Sequence, residues 1–342
     1  MKNLIRAALL ISLLGSTAYS QSPELQNLVG QGVKLHDKGD YNGAIEQYKK
    51  ALLIDDKSPL ANYEIGSTYF ALKDYQKAIE HCDKVIAANS SYMEQAYVLK
   101  GTALDMMGKP NEAISVYKEA TKSFPNKYLP YYNLALTSYN IKEYKEAEEA
   151  LKRSLTANPS HASSHLLMGY TMNAQNSRTK SLLAVYNFLL LEPKGDRARS
   201  ACKLLDFLLK KNVKKEDEKS VTITFDPGKT SDEFSSAELM LSLMEAGKST
   251  EKNKGKSDQE LFSENTNSFF SILGELKKDN KGFWWDYYVD FFYAMTNAKH
   301  VETYCYYILQ SNGDEKINDW LKKNDDKVES LSSWYSTFKR KL

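Results

Sequence analysis

From Leu25 to Gly195 the sequence repeats itself. Ala44, Ala78, Ala113, Ala147 and Ser181 recur at intervals of 34, 35, 34 and 34 residues. Twelve positions before each stands a small residue: Gly32, Gly66, Gly101, Ala135 and Gly169. A turn follows each of the five, eleven or twelve positions on. A period near 34 is that of helix–turn–helix units stacked side by side. Each unit buries its apolar face only against its neighbours, so the array and not the single hairpin is the stable object. The register gives five copies, at 25–58, 59–92, 94–127, 128–161 and 162–195, with Met93 as one extra residue. The small residues fall where the two helices of one copy cross, and a larger side chain there would cost roughly 1–3 kcal/mol. Pro125, Pro159 and Pro193 end the second helices, because proline lacks the N–H the next turn needs. Copy five departs most, with Ser181 for alanine and Arg178 for the usual turn aromatic, and is expected to pack less tightly or to meet a different partner helix.

With Gly-Asp-Tyr or Asp-Tyr at the first two turns (Gly39–Tyr41, Asp74–Tyr75) and the alanine and proline positions above, the segment resembles the tetratricopeptide repeat (TPR) family. The resemblance implies an all-α chain: a TPR helical-hairpin solenoid followed by a C-terminal mostly helical domain. It also implies a concave groove lined by the first helices, chiefly at the second, fifth, ninth and twelfth places. Carried over by register, the candidate groove residues are Val29, Val33, Tyr63, Ser67, Phe70, Val98, Thr102, Tyr132, Leu136, Tyr139, Leu166, Tyr170 and Asn173. The set is uncharged and rich in tyrosine, whose rigid ring and polar tip suit recognition of a peptide or a partner protein. Family members that clamp C-terminal carboxylates use lysine at the fifth place and asparagine at the ninth. Here those places hold Val29/Val33, Tyr63/Ser67 and Val98/Thr102, which disfavours that activity.

The N-terminus reads as a secretory signal peptide over residues 1–20, with basic Lys2 and Arg6, an apolar run from Ala7 to Leu14, and Ala18-Tyr19-Ser20 before Gln21. The apolar run is too short to span a bilayer. This predicts an exported protein, periplasmic or cell-surface associated in a Gram-negative bacterium, without stable membrane insertion after cleavage. The whole chain has 46 Lys+Arg and 44 Asp+Glu, and losing Lys2 and Arg6 leaves the mature part neutral. No field of one sign steers it to nucleic acid. Three cysteines, Cys82, Cys202 and Cys305, are too few and too scattered for a disulfide framework, so apolar packing must hold the fold.

After the repeats, 196–213 reads as a capping helix and 214–342 as the C-terminal domain. Within it Ser220–Asp226 alternates with period two like a strand, and 247–258 reads as a mobile polar loop. The run Phe283-Trp284-Trp285-Asp286-Tyr287-Tyr288-Val289-Asp290-Phe291-Phe292-Tyr293 has eight aromatics in eleven residues. At about 150–250 Å² each, these must be core or must dock on something, and one open reading is that they fold back into the groove. Tyr304-Cys305-Tyr306-Tyr307 is expected to pack antiparallel to this run after a turn at Thr296–His300. The two aromatic runs resemble C-terminal extensions of exported TPR proteins from Bacteroidota-type bacteria, which brings no assigned activity.

Catalytic signals are thin. His161 and His165 lack the carboxylate of a metalloprotease helix, so no metal is expected. Asp286 and Asp290 stand four apart and would do acid–base work only if burial raised one pKa. No nucleophile-elbow, phosphate-loop or dinucleotide pattern occurs. The reading is a non-enzymatic, cofactor-free interaction scaffold. The alternative is an enzyme or small-ligand site in the C-terminal domain built on Asp286, Asp290 and His300, with the repeats as a docking arm.

Overall fold

The computed structural model describes residues 22–215, 221–224 and 233–340. The signal-peptide reading of 1–20 lies outside them. Ten helices alternate through the repeat segment: α1 (Pro23–Asp37), α2 (Tyr41–Ile54), α3 (Pro59–Ala71), α4 (Tyr75–Ala87), α5 (Met93–Met106), α6 (Pro110–Ser123), α7 (Tyr128–Asn140), α8 (Tyr144–Ala157), α9 (Ala162–Ala174) and α10 (Arg178–Leu191). Then follow α11 (Asp196–Lys210), β1 (Val213–Lys215), β2 (Val221–Ile223), α12 (Ser235–Gly247), α13 (Asp258–Leu276), a π-helix (Trp284–Val289), α14 (Asp290–Asn297), α15 (Val301–Ile308), α16 (Glu315–Lys323) and α17 (Asp325–Thr337). The chain divides into two compact units, residues 1–103 and 104–342.

In the first unit α1 packs on α2 and α3 on α4. The hairpins close as tightly as the small residues demand. A Cβ built on Gly32 would stand 2.3 Å from Cε1 of Tyr48, a ring that is itself fully buried. Ala44, Ala51, Ala61, Ala78, Cys82, Val85 and Ala96 are also fully buried. Ala51 and Val85 are 34 residues apart, whereas Ala61 and Ala96 are 35 apart, so the extra residue is absorbed between Val85 and Ala96. The left-handed Asn89 (φ 48°) lies in that connection.

The hairpin turns share one backbone device. Gly39, Lys73, Gly108, Lys142 and Asn176, spaced 34, 35, 34 and 34 apart, all have positive φ, between 60° and 81°. Glycine takes this conformation without cost. At Lys73 and Lys142 the hairpin holds an ordinary side chain there, which costs on the order of 1 kcal/mol.

In the second unit α7 packs on α8 and α9 on α10. Copy five corrects the expectation of looser packing. Every residue of α10 from Arg178 to Leu190 except Lys180 is buried, so the helix is covered on all sides. Besides α9 it packs on α11, α12, α15 and the π-helix. Ser181 keeps the close crossing because its hydroxyl donates to the Gly169 carbonyl at 2.8 Å. Arg178, 1% exposed, leaves the turn and reaches outward: Nε donates to Leu208 O at 2.6 Å, Nη2 to Leu209 O at 2.7 Å and Nη1 to Ser242 Oγ at 2.7 Å. It thereby satisfies carbonyls at the C-terminal end of α11, which have no partner within the helix.

Four further boundaries differ from the expectations. The capping helix stops at Lys210, and Val213–Lys215 instead pairs antiparallel with Val221–Ile223, Val213 opposite Ile223. Of the strand expected over Ser220–Asp226, Val221–Ile223 forms β2, while Ser220, Phe225 and Asp226 lie outside the described residues. The polar loop 247–258 carries local structure: Thr250 Oγ1 and Asn253 Nδ2 both bond Gly247 O, a 3₁₀ turn covers Glu251–Asn253, and Ser257 begins α13 with a reciprocal capping box. Last, α14 and α15 both pack on α13 rather than chiefly on each other.

The aromatic run begins as a π-helix, a form found mostly as single turns and often at functional sites. Its wider turn stacks aromatics four apart, Phe283 on Tyr287 with centroids 4.8 Å apart and Trp284 on Tyr288 at 5.2 Å. Trp284, Trp285, Tyr287, Tyr288 and Val289 are buried. They dock on copies four and five: Trp284 Nε1 donates to Glu148 Oε1 at 3.1 Å and Tyr288 OH bonds His165 Nδ1 at 2.8 Å. Among the described residues no helix is long and apolar enough to cross a membrane. All three cysteines are buried and free.

Candidate interaction site

The candidate groove positions sit on α1, α3 and α5 in the first unit and on α7 and α9 in the second. One does not belong. Val29 is 4% exposed and packs with Leu25, Ala44, Tyr48 and Ile65, because the turn of α1 carries it into the hairpin interior. Val33 is half-buried against the same cluster. Tyr63 stacks on Tyr92 with centroids 5.9 Å apart, over Cys82, Val85 and Ala96. Burial, and after it the carboxylates of Glu64, raise its phenol pKa. Ser67, Phe70, Val98 and Thr102 are partly exposed, and Phe70 leans on the turn residue Tyr75 at 5.4 Å. Thr102 Oγ1 donates to Val98 O at 2.8 Å.

In the second unit Tyr132, Leu136, Tyr139, Leu166, Tyr170 and Asn173 are all partly exposed. Tyr132 meets His161 edge-on at 4.9 Å, and Tyr139 meets Tyr144 at 5.6 Å. Burial raises the Tyr139 pKa, with Tyr144 and Tyr170 as further causes. The aromatic C-terminal run is held elsewhere, by Glu148, by Leu155 O and by His165, none of them a groove position.

Two ties between successive first helices escaped the sequence reading. His36 Nδ1 bonds Thr68 Oγ1 at 2.8 Å, and Thr137 Oγ1 donates to Asp105 Oδ2 at 3.0 Å. Both join a twelfth-place residue to one 32 positions on, so the register contained the signal. Glu64, beside Tyr63 on α3, was also missed: burial raises its pKa, and Asp37 adds to the rise.

The catalytic alternative meets the opposite electrostatics. Lys277 Nζ lies 2.9 Å from Asp286 and 3.7 Å from Asp290. Its hydrogen bond, with one from Gly282 N, holds the Asp286 carboxyl below the usual range, so it is no proton donor near neutral pH. His300 packs against Trp334 at 5.6 Å. Cavities of about 530 and 400 Å³ in this unit are lined by other residues, among them Glu260, Glu264 and Lys299 in the first and Leu205, Phe262 and Ile317 in the second. His165, the better-placed half of the histidine pair, is committed to Tyr288 and to Pro159 O, its Nε2 donating at 2.9 Å. Among the described residues no cluster could hold a metal ion.

Residues 32–73 match the family described as TPR repeat. The array of helical hairpins has the fold of a TPR solenoid. Residues 75–154 match the family described as anaphase-promoting complex, cyclosome, subunit 3. A TPR repeat-containing protein of Methanocaldococcus jannaschii is 27% identical over 127 residues, 37% of this chain and 22% of that protein. The human RNA polymerase II-associated protein 3 is 31% identical over 127 residues, 36% of this chain and 19% of that protein. The chain thus spans about a fifth of the length of these curated relatives. Of solved structures, MamA matches with 24% identity and a TM-score of 0.43, over 49% of this chain and 92% of its own. YrrB, described as a TPR protein with an unusual peptide-binding site, matches with 21% identity and a TM-score of 0.42, over 52% and 90%. The two family matches lie within residues 32–154.

Proposed function

We propose that the protein is an exported, non-enzymatic scaffold whose TPR first helices hold an extended peptide segment of a partner protein. The observation that carries this is made in each unit by itself: half-exposed, uncharged tyrosines and apolar residues, on α3 in the first and on α7 and α9 in the second, pack on their own scaffold yet keep one side in solvent. Tyrosine loses little entropy when it is immobilised, and anchors of this type carry most of the energy in protein recognition. The YrrB description supports peptide recognition by this kind of repeat. The leader-like residues 1–20 support export.

The test uses chain recovered from the envelope of an expressing Gram-negative host, where N-terminal sequencing should read Gln21 first. Selection against a displayed library of unstructured peptides should enrich a consensus. The variant with Tyr63, Tyr132 and Tyr139 all replaced by alanine should lose at least tenfold in affinity for the selected peptides while its helical circular dichroism stays unchanged. Equal affinity in the triple variant would remove the groove assignment, and an N-terminus at Met1 would remove export.

A further inference from the structure

The last described residues form a ligand-like contact that the proposed function does not use. Helix α17 ends at Thr337, and the backbone at Phe338 turns extended (φ −70°, ψ 126°). In an extended chain, residues two apart face the same way. Phe338 and Arg340 accordingly both lie against Phe291. The Phe338 ring stands 5.2 Å from Phe291 and 5.4 Å from Trp334. The Arg340 guanidinium carbon lies 4.2 Å from the centre of Phe291, 4.3 Å from that of Tyr287 and 5.9 Å from that of Tyr288. Its Nη1 donates to the Tyr287 carbonyl. Aromatic faces attract a guanidinium through their quadrupoles, more strongly once water is excluded.

This cage is made by the π-helix and α14, not by the tail. The rings of Tyr287, Tyr288 and Phe291 are at most 1% exposed with the tail in place. The occupant is short. Only Phe338, Lys339 and Arg340 of the described residues lie beyond the helix, and Lys339 is exposed. Arg340 Nη2 is buried without a hydrogen-bond partner among the described residues, a state that costs free energy. The site thus has the chemistry of a receptor for an extended aromatic-x-arginine segment, filled by an imperfectly satisfied one.

We propose that this cage is a second binding site, specific for an extended aromatic-x-arginine segment on a partner protein, and that the chain's own Phe338-Lys339-Arg340 occupies it in cis until displaced. A cis segment at high effective concentration sets a threshold that a partner must beat.

The probe is a synthetic peptide of residues 336–342 (Ser-Thr-Phe-Lys-Arg-Lys-Leu), titrated by calorimetry into the chain truncated after Thr337. The truncated chain should bind it, the full chain should bind at least tenfold more weakly, and the peptide with alanine for arginine should lose at least tenfold. A folded truncated chain that ignores the peptide at millimolar concentration would overturn the proposal, leaving Arg340 as a packing staple. Equal binding by the full and truncated chains would overturn it too. Should truncation unfold the domain, full-length Arg340→Ala titrated with N-acetyl-arginine amide serves instead: a rise in its melting temperature, absent in the unmutated chain, is expected, and no rise contradicts the cage. Because the repeats are untouched, these outcomes are independent of the groove assignment.

Discussion

Arg178→Ala should destabilise the second unit by about 3–5 kcal/mol, because acceptors on α11 and α12 lose their donor at roughly 1–3 kcal/mol each and a cavity is added. The guanidinium is 1% exposed and joins the start of α10 to the last carbonyls of α11 and to Ser242 on α12. Burial lowers its pKa only to about 10, so it stays charged at neutral pH and needs those partners. Alanine removes the charge but leaves Leu208 O and Leu209 O buried without a donor, and it opens a cavity. For a unit of this size the melting temperature should fall by roughly 10 °C or more. Arg178→Lys keeps the charge but not the fork that reaches three acceptors, so it should recover only part of the loss. Urea unfolding followed by circular dichroism measures both. A loss below about 1 kcal/mol for alanine would mean that the carbonyls find water and that α10 is not pinned through this residue.

The second large effect is acid sensitivity centred on His165. The ring is fully buried, Nε2 donates to Pro159 O, and Nδ1 therefore accepts from the Tyr288 hydroxyl. Burial drives its pKa down to about 3, with Arg340 and His161 also disfavouring a positive charge. In the unfolded chain a histidine titrates near 6.5. Between these values the unfolded state binds the extra proton, so the stability is fully present above pH 6.5 and is lost as the pH falls toward 3. At pH 4.5 the loss relative to pH 7 should be about 3 kcal/mol from this residue alone. His81, lowered to about 4 chiefly by burial, acts in the same direction in the first unit. His165→Gln should lower stability at pH 7 but remove the His165 share, about 3 kcal/mol, of the loss between pH 7 and pH 4.5, leaving the share of His81 in place. Parallel pH profiles for the variant and the unmutated chain would show that His165 is not the titrating group.

Arg178 and His165 also show where sequence reasoning succeeds and where it stops. The 34-residue register places Gly32 against Tyr48 and Ala44 in the hairpin interior, because close helix crossing admits only small residues. The same register flagged Arg178 and Ser181 as departures but not their meaning. The partners of Arg178 lie 30 to 64 residues away, beyond any local period. Left-handed turns are legible at Gly39 and Gly108 and invisible at Lys73 and Lys142, where tertiary packing overrides local preference. Val29 was misplaced because a groove register carried over by spacing ignores the few degrees of helix rotation that separate a lining residue from a core residue. The aromatic run was legible as buried, but not as a π-helix, nor was its dock on Glu148 and His165, which depends on pairings more than 120 residues apart. In the tail, a phenylalanine two residues before an arginine is the one short signal of the cage.

The central claim, that a partner segment lies along the first helices of the repeats, is tested most directly by placing a photo-cross-linking amino acid at single positions in the expressed chain and irradiating whole cells. Leu136 and Tyr170, on first helices of the second unit, should both give the same cross-linked species, Ser67 on a first helix of the first unit should also cross-link, and Lys49, Glu119 and Arg153, exposed on second helices, should give none. Cross-links confined to the second-helix positions would contradict the account.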